Sequence, residues 1–256
     1  MNVIVKQEDL KVIYSGYEGN FKMSCSVETS VVMKIFLRSV LKCFGDKYKI
    51  IEEKRKSDEI TYLTNLSTEK LKTLDSNIEI KVNFIMEEIG DIFINQEIDD
   101  VNYEMGEYGR MIFVCGMETL QIDMVLLNSL LKKIGDKYKV LNTEVDDFFD
   151  ERCYTNLPLV KLNSTDPEDI CQVVVTKEDI RHFSFREIDE DQNIEIPLNP
   201  STYFIDRILI RSILKCYGED YKIEEVRYIP HKGLSYFITN LPYGELKNLN
   251  NCNPDK

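Results

Sequence analysis

At 256 residues, 43% of them hydrophobic and 30% charged, the chain has enough apolar material for a sizeable core and is not composed like a disordered segment. Its apolar runs are short, VVMKIFL being broken by Lys34, so no membrane-spanning helix and no membrane partner is expected. The net charge of −13, from 45 acidic and 32 basic residues, would repel nucleic acid if it were spread evenly, so its distribution decides what the chain can bind.

The opening MNVIVKQEDL has no basic region followed by an apolar stretch, which predicts a cytoplasmic protein, or a nuclear one in a eukaryotic cell, without a secretory signal. Val3 to Val5 read as a strand followed by an acidic turn or short helical turn. Phe21, Met23 and Cys25 alternate with polar residues as a second extended piece does. Thr29 stands at an N-cap position before about fifteen apolar-rich residues without proline, a predicted helix that Gly45 ends in a left-handed conformation. YKIIEE and ITYLTNL follow as two more strands.

The rest of the chain rewrites this order. SVLKCFGDKYKI at 39–50 returns as SLLKKIGDKYKV at 129–140 and SILKCYGEDYKI at 212–223. Around Gly45, Gly135 and Gly218 the same companions recur: Thr29, Thr119 and Thr202 before the helix, Ser39, Ser129 and Ser212 within it, and Tyr48, Tyr138 and Tyr221 just after the glycine. Thr-Asn-Leu follows at 64–66, 155–157 and 239–241, and VIVKQEDLK at 3–11 matches VVVTKEDIR at 173–181, with a fainter copy in VNFIMEEIG at 82–90. The expectation is an α+β protein of three tandem β-β-β-α-β-β repeats, residues 1–76, 77–167 and 168–256, each a long helix on a mainly antiparallel sheet.

The helices carry charge that the composition does not suggest. Lys34, Arg38 and Lys42 recur every fourth residue along one stripe of the first helix, as Arg207, Arg211 and Lys215 do along the third. The second helix offers only Lys132 there, with Lys133 next to it and Asp123 beside the stripe. Acids gather elsewhere, in EIDD at 97–100, VDDFFDE at 145–151 and EIDED at 187–191. Lysine and arginine stems snorkelling along a solvated helix face would give the same pattern without any ligand. The remaining positions of the first helix are so apolar that it must touch neighbours on both flanks as well as its sheet.

NIEIPLNPSTYFIDRILIRSILKCYGEDYKIEEV and the following GLSYFITNL resemble the repeating unit of sliding DNA clamps of the proliferating-cell-nuclear-antigen type. The resemblance implies an acidic ring-forming chain whose helices turn lysine and arginine towards DNA while its sheets form the outside. Lys34, Arg38, Lys42, Lys132, Arg207, Arg211 and Lys215 would then be the nucleic-acid-binding residues. The resemblance spans about 45 residues per copy and rests mostly on hydrophobic pattern; this chain shows three long helices where clamp chains show four or six.

Catalytic signatures are missing from the sequence: no phosphate loop, no G-x-G-x-x-G after a strand, no G-x-S-x-G and no H-E-x-x-H. His182 and His231 do not recur across the copies and read as ordinary surface or partly buried residues. Glu52-Glu53-Lys54 reads as a solvated strand end, DDFFDE lacks calcium-loop spacing, and the tyrosines after the glycines read as core anchors rather than base-stacking rings. Seven scattered cysteines without a C-x-x-C pair predict reduced core residues rather than disulfides or a zinc site. The expectation is a non-enzymatic binding or scaffold protein without cofactor or metal, with a protein partner, nucleic acid along the stripes, and self-association into a homo-oligomer. An acidic decoy occupying the basic groove of a nucleic-acid-binding protein and a structural assembly subunit are the competing readings.

Overall fold

The computed structural model describes residues 1–5, 19–73, 80–93, 95–99, 110–116, 119–145, 151–183, 185–187, 193–197, 202–229 and 234–250. In chain order the elements are β1 (Ile4–Val5), β2 (Asn20–Ser26), α1 (Ser30–Cys43), β3 (Ile50–Lys56), β4 (Glu59–Ser67), α2 (Thr68–Lys72), β5 (Ile80–Lys81), β6 (Asn83–Ile85) and α3 (Ile89–Ile92), the last entered through a 3-10 turn, Met86–Glu88. There follow β7 (Asn95–Asp99), β8 (Arg110–Cys115), α4 (Leu120–Ile134), β9 (Val140–Val145), β10 (Glu151–Pro158), α5 (Leu159–Asn163), β11 (Ile170–Gln172) and a second 3-10 helix, Lys177–His182. β12 (Arg186–Glu187), β13 (Asn193–Pro197), α6 (Tyr203–Tyr217), β14 (Ile223–Ile229), β15 (Leu234–Pro242) and α7 (Tyr243–Asn250) complete it. The protein is therefore α+β with several antiparallel sheets. No helix among the described residues is long and apolar enough to cross a membrane.

Each long helix follows a strand and precedes a hairpin, and the hairpins sit alike. Their sheets run β2-β4-β3, β7-β8-β10-β9 and β12-β13-β15-β14, so the first hairpin strand is always the outer one. Each hairpin also shifts register near its start, between Ile50 and Glu52, between Tyr154 and Thr155, and between Ile223 and Glu225.

Small motifs explain the recurring letters. Asn65 Oδ1 accepts the Lys49 N–H at 2.8 Å while its Nδ2 donates to the Lys47 carbonyl at 2.8 Å. Asn156 does the same to Lys139 and Lys137 at 2.7 and 2.9 Å, and Asn240 to Lys222 and Asp220 at 2.7 and 2.9 Å. The Asn of Thr-Asn-Leu is thus a clasp on the turn that follows the helix. The neighbouring Leu66, Leu157 and Leu241 are fully buried.

The glycines divide. Gly45 has φ +116 and so has the positive φ that favours glycine, as expected. Gly135 and Gly218, with φ 162 and 163, are extended, which corrects the left-handed expectation for those two. An added Cβ there would lie 3.4 Å from the ring of Tyr138 or Tyr221, an ordinary van der Waals contact, so neither position demands glycine. Tyr138 is buried, and Tyr48 and Tyr221 pack partly buried against the core.

The opening strands do not join these sheets. β1 pairs antiparallel with β5, β6 with β11, and Asn2 bridges Val174, so three chain segments meet at Val3, Val82 and Val173, all fully buried. Val3 donates to the Val173 carbonyl at 3.2 Å and Val173 to that of Val82 at 2.9 Å. The long helices lie between this junction and their own sheets. α1 contacts β2 and β4 on one side and β5 and β6 on the other, α4 contacts β8 and β11, and α6 contacts β1 and α4. Burial from two sides is why Val32, Met33, Ile35, Phe36, Leu37, Val40 and Leu41 are all buried on one helix. Three short helices that the sequence reading did not expect, α2, α5 and α7, close the hairpins after their Thr-Asn-Leu strands.

Candidate nucleic-acid interface

The sandwiching leaves each long helix one narrow strip towards solvent, and the basic side chains occupy it. On α1, Lys34, Arg38 and Lys42 line an open groove of 580 Å³ whose other wall is the turn and edge strand from Asp46 to Glu53, including Tyr48, Lys49 and Ile51. The groove is mixed in charge, because Asp46, Glu52 and Glu53 line it too.

The three bases differ in freedom. Lys34 Nζ lies 3.3 Å from Glu53, both side chains being roughly two-fifths exposed, so the pair is screened and contributes about 0–1 kcal/mol. Arg38 meets Glu88 at 2.6 Å, and Glu88, only 12% exposed, also accepts the Ile85 N–H at 2.9 Å. Arg38 therefore braces α1 against the turn before α3. Lys42 is exposed in the last turn, where a cation complements the carbonyl end of the helix.

On α6, Arg207, Arg211 and Lys215 are half-buried, and Lys215 lies 3.2 Å from Glu219. Lys132 of α4 is exposed, and its neighbour Lys133 stands 3.8 Å from Asp169. Lys34, Arg38 and Lys42 are brought together on one groove wall; Lys132, Arg207, Arg211 and Lys215 do not line that groove. The acidic runs at 97–100, 145–151 and 187–191 lie largely outside the residues whose side chains are described, as does His231.

His182 is partly buried, with a side chain 23% exposed. Asn128 Nδ2 donates to Asp179 Oδ1 at 3.0 Å and lies 3.3 Å from His182 Nε2, while Asp179 Oδ2 accepts from the Thr176 N–H at 2.6 Å. This cluster ties α4 to the 3-10 helix Lys177–His182, and burial pulls the His182 pKa below its usual value. Lysine ammonium groups cover two of the recurring tyrosines, Lys47 at 5.1 Å from the Tyr48 ring centre and Lys137 at 5.2 Å from that of Tyr138. Among the described residues no group of three or more His, Cys, Asp or Glu side chains is arranged to hold a metal.

One carboxylate was misread from the sequence and a second was passed over. Asp123, read as a charge beside the stripe, is 1% exposed and turned inward, and Asp206 of α6 is 5% exposed. Burial raises each to about 7. The signal was present as Thr-x-x-x-Asp, Thr119 with Asp123 and Thr202 with Asp206, a spacing that stacks the two side chains on one helix face.

No family model matches the chain, and neither the curated proteins nor the solved structures contain a match.

Proposed function

We propose that the chain is a non-enzymatic, clamp-like binding scaffold of three tandem β-β-β-α-β-β repeats, residues 1–76, 77–167 and 168–256, whose helix stripes contact nucleic acid while acidic surfaces engage protein partners. The repeat reading is supported by the Asn clasps at 65, 156 and 240 and by the outer position of β3, β9 and β14. The observation that carries the binding reading is the alignment of Lys34, Arg38 and Lys42 along one groove wall in a chain of net charge −13. Phosphates recruited there displace Glu53 from Lys34 and gain Lys42 and Lys49, an exchange that salt opposes.

The test is fluorescence anisotropy of labelled duplex DNA against the parent and a variant carrying Lys34→Gln, Lys42→Gln, Arg207→Gln and Lys215→Gln, with Arg38 kept because it braces Glu88. Binding at low salt that weakens as salt rises, and is lost by about tenfold or more in the variant, is expected. Absence of binding by the parent at low salt, or equal binding by parent and variant, overturns the reading.

A further inference from the structure

Several of the exposed large apolar side chains lie on the three outer strands: Ile51 on β3, Leu141 and Val145 on β9, Val226 and Tyr228 on β14. Among the described residues no strand pairs with the outer side of any of the three. An open edge is a template for another strand unless charge or cover blunts it.

We propose that β14 is the contact of a two-fold homodimer, pairing antiparallel with β14 of a second copy so that the two four-stranded sheets become continuous. The proposal is independent of the nucleic-acid reading. A closed dimer of this kind has its axis normal to the sheet, so one residue faces itself and its neighbours face each other in reverse order. Centred on Val226, the pairing sets Val226 against the second copy's Val226, Glu225 against the second copy's Arg227, and Glu224 against the second copy's Tyr228. Opposite charges meet on both sides of an apolar centre, and no like charges meet.

The other two outer hairpin strands, β3 and β9, lack this property. Symmetric pairing of β3 about Glu52, Glu53 or Lys54, the centres that engage five or more of its residues, sets a charged side chain against its own copy at the axis, and β9 has Glu144 as its sole charge. Val226 is 44% and Tyr228 60% exposed, and Val226 stands opposite the fully buried Phe237 of β15. It therefore carries the core face of the sheet out to its rim, where a second copy covers it. Arg227 is loosely engaged within its own chain, 4.0 Å from Glu195 and 3.8 Å from Glu225, and can turn to the partner.

The experiment is sedimentation velocity on the full chain over a concentration series, with Glu225→Arg, Arg227→Glu and Val226→Lys. The parent is expected to dimerise, and each variant to weaken dimerisation by about tenfold or more, the first two by opposing like charges and the third by opposing two ammonium groups at the axis. An equimolar mixture of Glu225→Arg and Arg227→Glu is expected to associate again, because each copy then supplies the charge that the other lacks. A parent that stays monomeric, variants that dimerise as the parent does, or folded charge variants whose mixture fails to associate would each overturn the proposal, the last by pointing to a head-to-tail contact. Should Arg227→Glu not fold, Val226→Lys with the parent's circular dichroism decides, and a dimer of that variant overturns the proposal.

Discussion

Thr119 Oγ1 donates a 2.6 Å hydrogen bond to Oδ2 of Asp123, and Thr202 Oγ1 donates one of the same length to Asp206 Oδ2. In each carboxyl Oδ1 is buried without a hydrogen-bond partner. The single hydroxyl donor, joined at Asp123 by the Gly116 N–H at 3.3 Å, does not offset the loss of water, which is why each pKa rises from 3.8 to about 7.

A folded-state pKa raised above the unfolded value means that folding retains protons which the unfolded chain releases. Stability from this source is fully present below about pH 4 and is lost as pH rises towards about 7, on the order of 2–4 kcal/mol for each carboxyl. His182, whose pKa is lowered, acts in the opposite direction and favours folding as pH rises through its usual range. Urea unfolding midpoints measured from about pH 5 to pH 8 should therefore fall in the parent. In Asp123→Asn with Asp206→Asn the fall should vanish and the His182 trend should emerge. A parent curve that is flat or rises across this interval contradicts the burial argument.

The Asn clasps lead to a second expectation. Each holds one N–H and one carbonyl of a turn that no ladder serves, so Asn156→Ala leaves both without their side-chain partner, at a cost of about 1–3 kcal/mol. Asn156→Asp keeps the acceptor and loses the donor, and should fall between parent and alanine. Equilibrium denaturation of the three proteins gives the order, and equal stability of all three would show that water replaces the clasp.

Glycine substitutions separate conformation from contact. Gly45→Ala must hold a side chain at φ +116 in open space, costing about 1–3 kcal/mol. Gly135→Ala has an accessible backbone and an ordinary 3.4 Å contact with Tyr138, so its cost should be below about 1 kcal/mol. Thermal melts of the two variants should therefore differ, with Gly45→Ala the less stable.

How much was legible follows from the range of each interaction. The helices were readable because apolar breadth and the closing glycine are local, and the flanking contacts because α1 had more apolar surface than one sheet can cover. Lys34, Arg38 and Lys42 were readable as a stripe from their spacing, but their carboxylate partners were not. Glu53 lies on β3 and Glu88 in the turn before α3, and only the folded chain brings either to the helix. The junction of Val3, Val82 and Val173 was hidden for the same reason, since the three strands look like openings of separate units and pair with one another instead. Asp123 was misread because a charged letter on a helix suggests solvent unless the threonine one turn earlier is weighed with it.

The serine shared by the three long helices yields the last prediction. Ser129 Oγ donates to the Val125 carbonyl at 2.7 Å and accepts the Val174 N–H at 3.0 Å; Ser39 donates to Ile35 at 2.9 Å and accepts the Asn83 N–H at 3.2 Å. Each hydroxyl thus satisfies the strand residue just after the junction valine, where strand pairing changes partner and the ladder cannot. Ser129→Ala leaves the Val174 N–H without that acceptor at a site where the serine is 3% exposed, and should cost about 1–3 kcal/mol. Ser129→Cys keeps a weak acceptor at similar volume and should recover part of the loss. Because the bond joins α4 to the junction rather than to its own sheet, amide exchange at Val174 should accelerate in Ser129→Ala more than at Cys153 in the middle of β10. Equal acceleration at both would mean that the serine supports the helix alone and not the junction.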